Sequence, residues 1–296
     1  MAFFIDKTSQ LDYTYNMIKK LIVTFLLLCL NINSASAIEN GQVERSPNRV
    51  VPLYVEGIMI GCSGYLYEPR IVLTAAHCLI GQYKVTQVGF PNQKAGPSNE
   101  RVSVEKSLFP SLYNEQSQYD NDFAVLVLSK PIPVPYSAEL LTETIKDKIV
   151  GTNIEVKISG FGNQDTTQTT SQTIRDAHYT YANLGSINNE IQLINKEVGS
   201  VCSGDSGGSN TIVYEGKEIY LGATSHGWNQ PNCGRWGGGG TRSLLFAPVY
   251  KYTDVIKMAK DIIGPEIIIQ TVKPAPTPKP VAVKKCIKLK NGKCKK

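Results

Sequence analysis

The sequence predicts an all-β domain closed by a single C-terminal helix and followed by an extension outside the packed core. Three observations carry this. Between Ile38 and Tyr252, short runs of Val, Ile, Leu and Tyr alternate with clusters of Gly, Pro, Asn and Ser, the pattern of many short strands joined by turns. Long helical periodicity is absent from that span and first emerges at Thr253–Gly264. Beyond it, Lys273–Pro280 places a proline at every second position, which favours an extended, semi-rigid spacer.

At the N-terminus, Lys19-Lys20 precede the apolar run Leu21–Leu30, and Ala35-Ser36-Ala37 supplies the small residues of a signal-peptide cleavage site. The run is too short to span a bilayer as a mature helix. Residues 1–16 contain acids, unlike a basic leader start, so Met17 is a candidate true start. Leu28 before Cys29 is too large for lipoprotein processing. Cleavage after Ala37 leaves 259 residues, 38–296, ample for a sizeable core.

Strand signals lie at Arg70–Leu73, Asp122–Leu128, Ile154–Ile158, Thr211–Tyr214 and Glu218–Leu221. In the terminal helix Val255, Ile256, Ala259, Ile262 and Ile263 share one face, with Thr253 as cap and Gly264 as terminator. The organisation is therefore a leader (1–37), one domain (38–264), a Pro-rich linker (265–283) and a basic tail (284–296).

The formal net charge of +6 is unevenly spread. The leader holds three Lys against two Asp and residues 265–296 hold nine Lys against one Glu, so the body between them is at −3. The basicity belongs to the tail, and the domain is not expected to bind nucleic acid. Of seven cysteines, Cys29 leaves with the leader; the remaining six suit disulfides in an oxidising compartment. Only three histidines exist and none has metal-ligand spacing to a cysteine pair, so no metal site is expected.

Two motifs carry chemistry. Cys202-Ser203-Gly204-Asp205-Ser206-Gly207-Gly208 presents a serine between glycines that allow close backbone approach, and Thr74-Ala75-Ala76-His77-Cys78 lies 129 residues before that serine. A serine hydroxyl is a poor nucleophile until a positioned imidazole takes its proton, and the imidazole in turn needs a carboxylate to hold its tautomer. Asp122, at the entrance to the apolar run Phe123–Leu128, and Asp120 are the candidates.

These segments resemble the chymotrypsin and trypsin family over Ile38 to about Gly264. Further matches are Ile38-Glu39-Asn40-Gly41, Ile158-Ser159-Gly160-Phe161-Gly162 and Ser225-His226-Gly227, in the family's order. The resemblance implies two packed six-stranded barrels with the site between them, and it favours Asp122 over Asp120. It further implies a secreted serine endopeptidase with a His77–Asp122–Ser206 triad, needing no cofactor, with Gly204 and Ser206 N–H groups as the oxyanion hole. Asp205 would pair with the free amine of Ile38. Ser200, Ser225 and Gly227 would line the substrate pocket, and the neutral Ser200 disfavours Lys or Arg specificity. His226, where the family usually has Trp, and Arg235 point toward acidic substrates as an alternative. Implied disulfides are Cys62–Cys78 and Cys202–Cys233, which leaves Cys286 and Cys294 for each other. An Asn291-Gly292 hairpin would place Cys294 opposite Leu289, in conflict with that last bridge, so an intermolecular bridge stays open. The expected partners are protein or peptide substrates of a monomer, with the tail contacting an anionic envelope or polymer. A second reading is a catalytically inactive binding protein on the same fold.

Overall fold

The computed structural model describes residues 42–43, 48–81, 84–93, 99–114, 120–162, 175–181, 191–195, 201–228 and 242–264. The chain divides into two units, 1–263 and 264–296. The predicted leader, Pro-rich linker and basic tail lie outside the described residues.

After β1 (Gln42–Val43), six strands form a closed antiparallel barrel: β2 (Val50–Val55), β3 (Ile58–Glu68), β4 (Ile71–Thr74), β5 (Gln87–Gly89), β6 (Arg101–Leu108) and β7 (Ala124–Leu128), in the order β2-β3-β4-β7-β6-β5. The second sheet has eight strands: β1, β8 (Glu139–Leu140), β9 (Glu155–Gly160), β10 (Arg175–Tyr181), β11 (Ile191–Asn195), β12 (Ser209–Tyr214), β13 (Lys217–Trp228) and β14 (Arg242–Pro248). Within it the pairings β9-β10-β11-β14-β13-β12-β9 complete a circuit of six antiparallel strands. β1 extends this sheet beside β10, and β8 runs parallel to β13.

β4 and β7 show why the predicted apolar runs are continuous rather than alternating. Successive strand side chains face opposite ways. Val72, Ala124, Leu126 and Leu128 enter the core of the first barrel, while Ile71, Leu73, Val125 and Val127 join the cluster that contains Val156, Ile212 and Phe246 of the second sheet. Both faces of this strand pair are therefore buried, and its polar residue, Thr74 at the end of β4, donates its hydroxyl to Ser63 O at 2.8 Å. The hairpin turns Glu56-Gly57 (φ +48° and +88°) and Glu215-Gly216 (φ +50° and +76°) supply the positive φ at both central positions that matches strand twist.

Among the described residues, two α-helices complete the domain. α1 (Glu143–Ile149) was not anticipated from periodicity; its signals are Thr142, whose hydroxyl oxygen accepts from the Ile145 N–H at 3.2 Å, and Glu143 in the first turn. α2 (Thr253–Ile263) begins at Thr253 itself, so that residue is the first of the helix rather than the one before it. Val255, Ile256 and Ala259 are buried, whereas Ile262, expected on the same face, is 42% exposed in the last turn. Gly264 ends the helix at φ +73°. Tyr252 stacks on Phe123 at 4.9 Å between centroids, tying the start of α2 to the segment entering β7.

Candidate functional site

The pairing of β4 with β7 aligns Thr74 with Ala124. His77 follows three residues after the first, on a short 3-10 turn (Ala76–Leu79), and Asp122 stands two before the second. Register alone thus delivers both side chains to one end of the barrel. Asn121, at φ +54°, turns the chain into the strand, and its Nδ2 donates to Leu112 O at 3.2 Å. Asp122 is fully buried and holds His77 twice: Oδ1 accepts from the His77 backbone N–H at 2.8 Å, and Oδ2 lies 2.7 Å from Nδ1. Asp120 sits half-buried at the preceding turn, and the bonds to His77 come from Asp122.

The loop Cys202–Gly208 is held on several sides. Asp205 N donates to Cys202 O at 3.0 Å, Gly208 N to Asp205 O at 2.9 Å, and Gly207 N to Thr224 O at 2.7 Å. From the first barrel, Ser63 N donates to Ser206 O at 2.8 Å and Ser63 Oγ donates to Gly204 O at 2.9 Å, while Phe161 N donates to the same hydroxyl oxygen at 2.9 Å. Ser63 is fully buried and was not anticipated; its partners lie far away in the chain, so no local pattern marks it. Among the described residues, neither the Gly204 nor the Ser206 N–H is spent on a backbone carbonyl.

Gly204 and Gly207 adopt φ +101° and +76°, which disfavour a side chain. A Cβ at Gly207 would also collide with Thr74 Oγ1 and Ser63 O. Gly207→Ala is therefore expected to destabilise the domain by more than about 2 kcal/mol in urea unfolding, combining the positive-φ penalty with overpacking. A change below about 0.5 kcal/mol would contradict this geometry.

Asp205 is the second buried carboxylate. Its Oδ1 accepts from Gly162 N and its Oδ2 from Cys202 N, both at 2.8 Å. Burial raises its pKa from 3.8 to about 7, with the two backbone donors opposing the rise. Gly160 and Gly162 are glycines because any Cβ there would strike this carboxylate. Ile38, its expected partner, lies outside the described residues.

Cys62 and Cys78 form a disulfide, as the resemblance implied. Cys78 Sγ lies 3.8 Å from His77 Nε2 and 3.7 Å from Ser206 O, so one sulfur touches both the imidazole and the serine loop. Cys62, His77 and Cys78 offer metal-ligand atoms within 4.8 Å of one another, but the two sulfurs are bonded to each other and present no thiolate. Cys202 is also disulfide-bonded. Its expected partner Cys233, together with Cys286, Cys294, Ser200 and Arg235, lies outside the described residues.

β13 also borders the site. Ser225, expected to line the substrate pocket, donates its hydroxyl to Asp122 Oδ2 at 2.6 Å. The carboxylate thus accepts three hydrogen bonds, and the third was missed because it joins residues 103 apart. Gly227, two residues on, is half-buried.

The sequence profile of the family described as Trypsin matches residues 38–256. The chain belongs to the trypsin family. Trypsin 5G1 of Aedes aegypti is 27% identical over 56% of this chain and 70% of that protein. Trypsin zeta of Drosophila melanogaster is 30% identical over 34% of this chain and 36% of that protein. Trypsin of Simulium vittatum is 24% identical over 71% of this chain and 94% of that protein. These trypsin-family relationships support a serine protease function. Among the described residues, no helix is long and apolar enough to cross a membrane.

Proposed function

We propose that the chain is an exported serine endopeptidase that works through Ser206, His77 and Asp122. Ser206 Oγ attacks the carbonyl carbon of a peptide bond while His77 Nε2 takes the hydroxyl proton. The tetrahedral oxyanion is received by the N–H groups of Gly204 and Ser206, where each essential donor is worth roughly 3 to 4 kcal/mol. His77 then returns the proton to the departing amine, and water repeats the sequence to release the acyl group. Asp122 keeps the His77 Nδ1 proton in place and stabilises the imidazolium. The observation that carries this reading is the doubly bonded Asp122–His77 pair, meeting the Ser206 loop at the Cys78 sulfur. Incubating purified 38–296 with an unfolded protein and sequencing the fragments tests it. New internal termini are expected, and an undegraded substrate would oppose it in favour of a binding protein.

Ser200, two before Cys202, would form a neutral pocket floor, so an aromatic or large apolar residue before the scissile bond is the preferred substrate, with Gly227 leaving one wall open. A peptide-library profile dominated by Lys or Arg would contradict this. The nine-lysine segment beyond Gly264 would retain the enzyme on an anionic envelope or polymer. Truncation after Gly264 is expected to leave hydrolysis of a small neutral peptide unchanged and to abolish retention on anionic vesicles. The retention of the full chain should weaken with salt, since exposed charges are screened over roughly 8 to 10 Å near physiological ionic strength. Equal retention of both forms at low salt would remove the role of the tail.

A further inference from the structure

Beside the triad stands a second imidazole that the mechanism above does not use. His226 follows Ser225 on β13, and the pairing of β13 with β14 slips between Thr224 and His226, so Ser225 is the extra residue of a β-bulge. In a regular strand, neighbours 225 and 226 would face opposite ways; a bulge re-aims the chain locally. Here His226 Nδ1 lies 3.2 Å from Ser225 Oγ, whose own partner is Asp122 Oδ2 at 2.6 Å.

Counting protons fixes the direction of this chain. An ionised Asp122 only accepts, so the single Ser225 hydroxyl proton is spent on it, and toward His226 the same oxygen can only accept. His226 must therefore carry its proton on Nδ1. Two imidazoles thus converge on one buried carboxylate, His77 directly and His226 through a hydroxyl. Resting on the triad reading, we propose that His226 is a positioning residue: its Nδ1–H pins the Ser225 hydroxyl, and through it the orientation of the Asp122 carboxylate that holds His77.

Among the described residues, Asp122, before β7, and His77, after β4, act electrostatically on the His226 ring. Its register partner on β14 is Leu245, and the β12 residues paired just before it on β13, Ser209 and Asn210, carry no titratable group. Burial lowers the His226 pKa, Asp122 opposes that fall and His77 adds to it. The neutral tautomer is thereby kept at neutral pH. In acid, a second proton on His226 would place a cation one hydroxyl away from Asp122 and compete with the His77 imidazolium for the same carboxylate.

Nitrogen-15 NMR of the histidine side chains at pH 8 tests the tautomer directly. Protonated Nδ1 with bare Nε2 is expected at His226, and the opposite tautomer would overturn the proposal. Kinetics supply the functional arm. His226→Phe removes the donor and is expected to lower kcat roughly 3- to 10-fold with KM within about two-fold, the range of one ordinary hydrogen bond. His226→Asn keeps a side-chain N–H and should recover most of the loss. The acid limb of wild-type kcat/KM should steepen toward second order in protons, while that of His226→Asn stays first order. Equal kcat in the Phe and Asn variants, with equal acid limbs, would overturn the role while leaving the protease reading intact. If the wild type hydrolyses nothing, that reading fails instead. The His77 Nδ1 proton resonance then decides: it should move in the Phe variant and stay in the Asn variant, and no movement in either overturns the proposal.

Discussion

Ser206→Ala should reduce peptide-bond turnover by about six orders of magnitude while the domain stays folded, since removing the nucleophile of a cooperating triad costs on the order of 10⁶. The size of the effect follows from the division of labour. In the proposed mechanism His77 and Asp122 move one proton off Ser206, and without that oxygen neither would have a task. What survives is catalysis by the oxyanion donors and substrate binding alone, roughly 10³ to 10⁴ over water. Stability should barely change, because Ser206 is half-buried and its carbonyl, which holds Ser63, is retained. Near-normal activity in a preparation free of contaminating protease would refute the role of Ser206.

Freeing the Ile38 amine is expected to stabilise the domain above pH 7 and to do nothing below about pH 4. Asp205 sets both limits, because burial raises its pKa to about 7 from a value of 3.8 in the unfolded chain. Between these values the folded state binds more protons than the unfolded one, so stability falls as pH rises and the full loss is present above pH 7. Three pKa units correspond to as much as about 4 kcal/mol for a carboxylate left without a counter-charge. A free ammonium group paired with Asp205 returns its pKa toward or below the ordinary range and cancels that loss. Urea unfolding of 38–296 and of the same chain extended by Ser36-Ala37 should therefore agree near pH 4 and separate progressively by pH 8. Parallel curves at every pH would contradict the Ile38–Asp205 partnership. Sequencing the exported protein should place its first residue at Ile38; an active protein that begins at Ser36 would contradict direct activation by leader removal.

What was legible in the chain and what was not divides along contact range. β4 and β7 announced themselves because burial on both faces leaves an unbroken apolar run, and the positions of His77 and Asp122 follow from where those strands end and begin. The serine loop was legible because its glycines are required locally, at positive φ or at close backbone approach. Strand order was not: β9 lies beside β12 and β11 beside β14, pairings that leave no trace in local composition, and the family resemblance implied only two six-stranded barrels. α1 escaped because two turns of helix carry too little periodicity, although Thr142 and Glu143 mark its start. The hydroxyls of Ser63 and Ser225 escaped for a different reason. A serine in a strand looks alike whether it faces solvent or bridges two barrels, and their partners Gly204 and Asp122 lie 141 and 103 residues away.

Hydrolysis by the proposed triad requires Ser206 to be an activated nucleophile, and the most direct measurement is reaction of purified 38–296 with a fluorophosphonate, read by intact mass and peptide mapping. One adduct per chain on Ser206, lost in Ser206→Ala and strongly slowed in His77→Ala, is the expected result. An unmodified Ser206 in folded protein with a free Ile38 terminus would contradict the account and leave a binding protein on a protease fold.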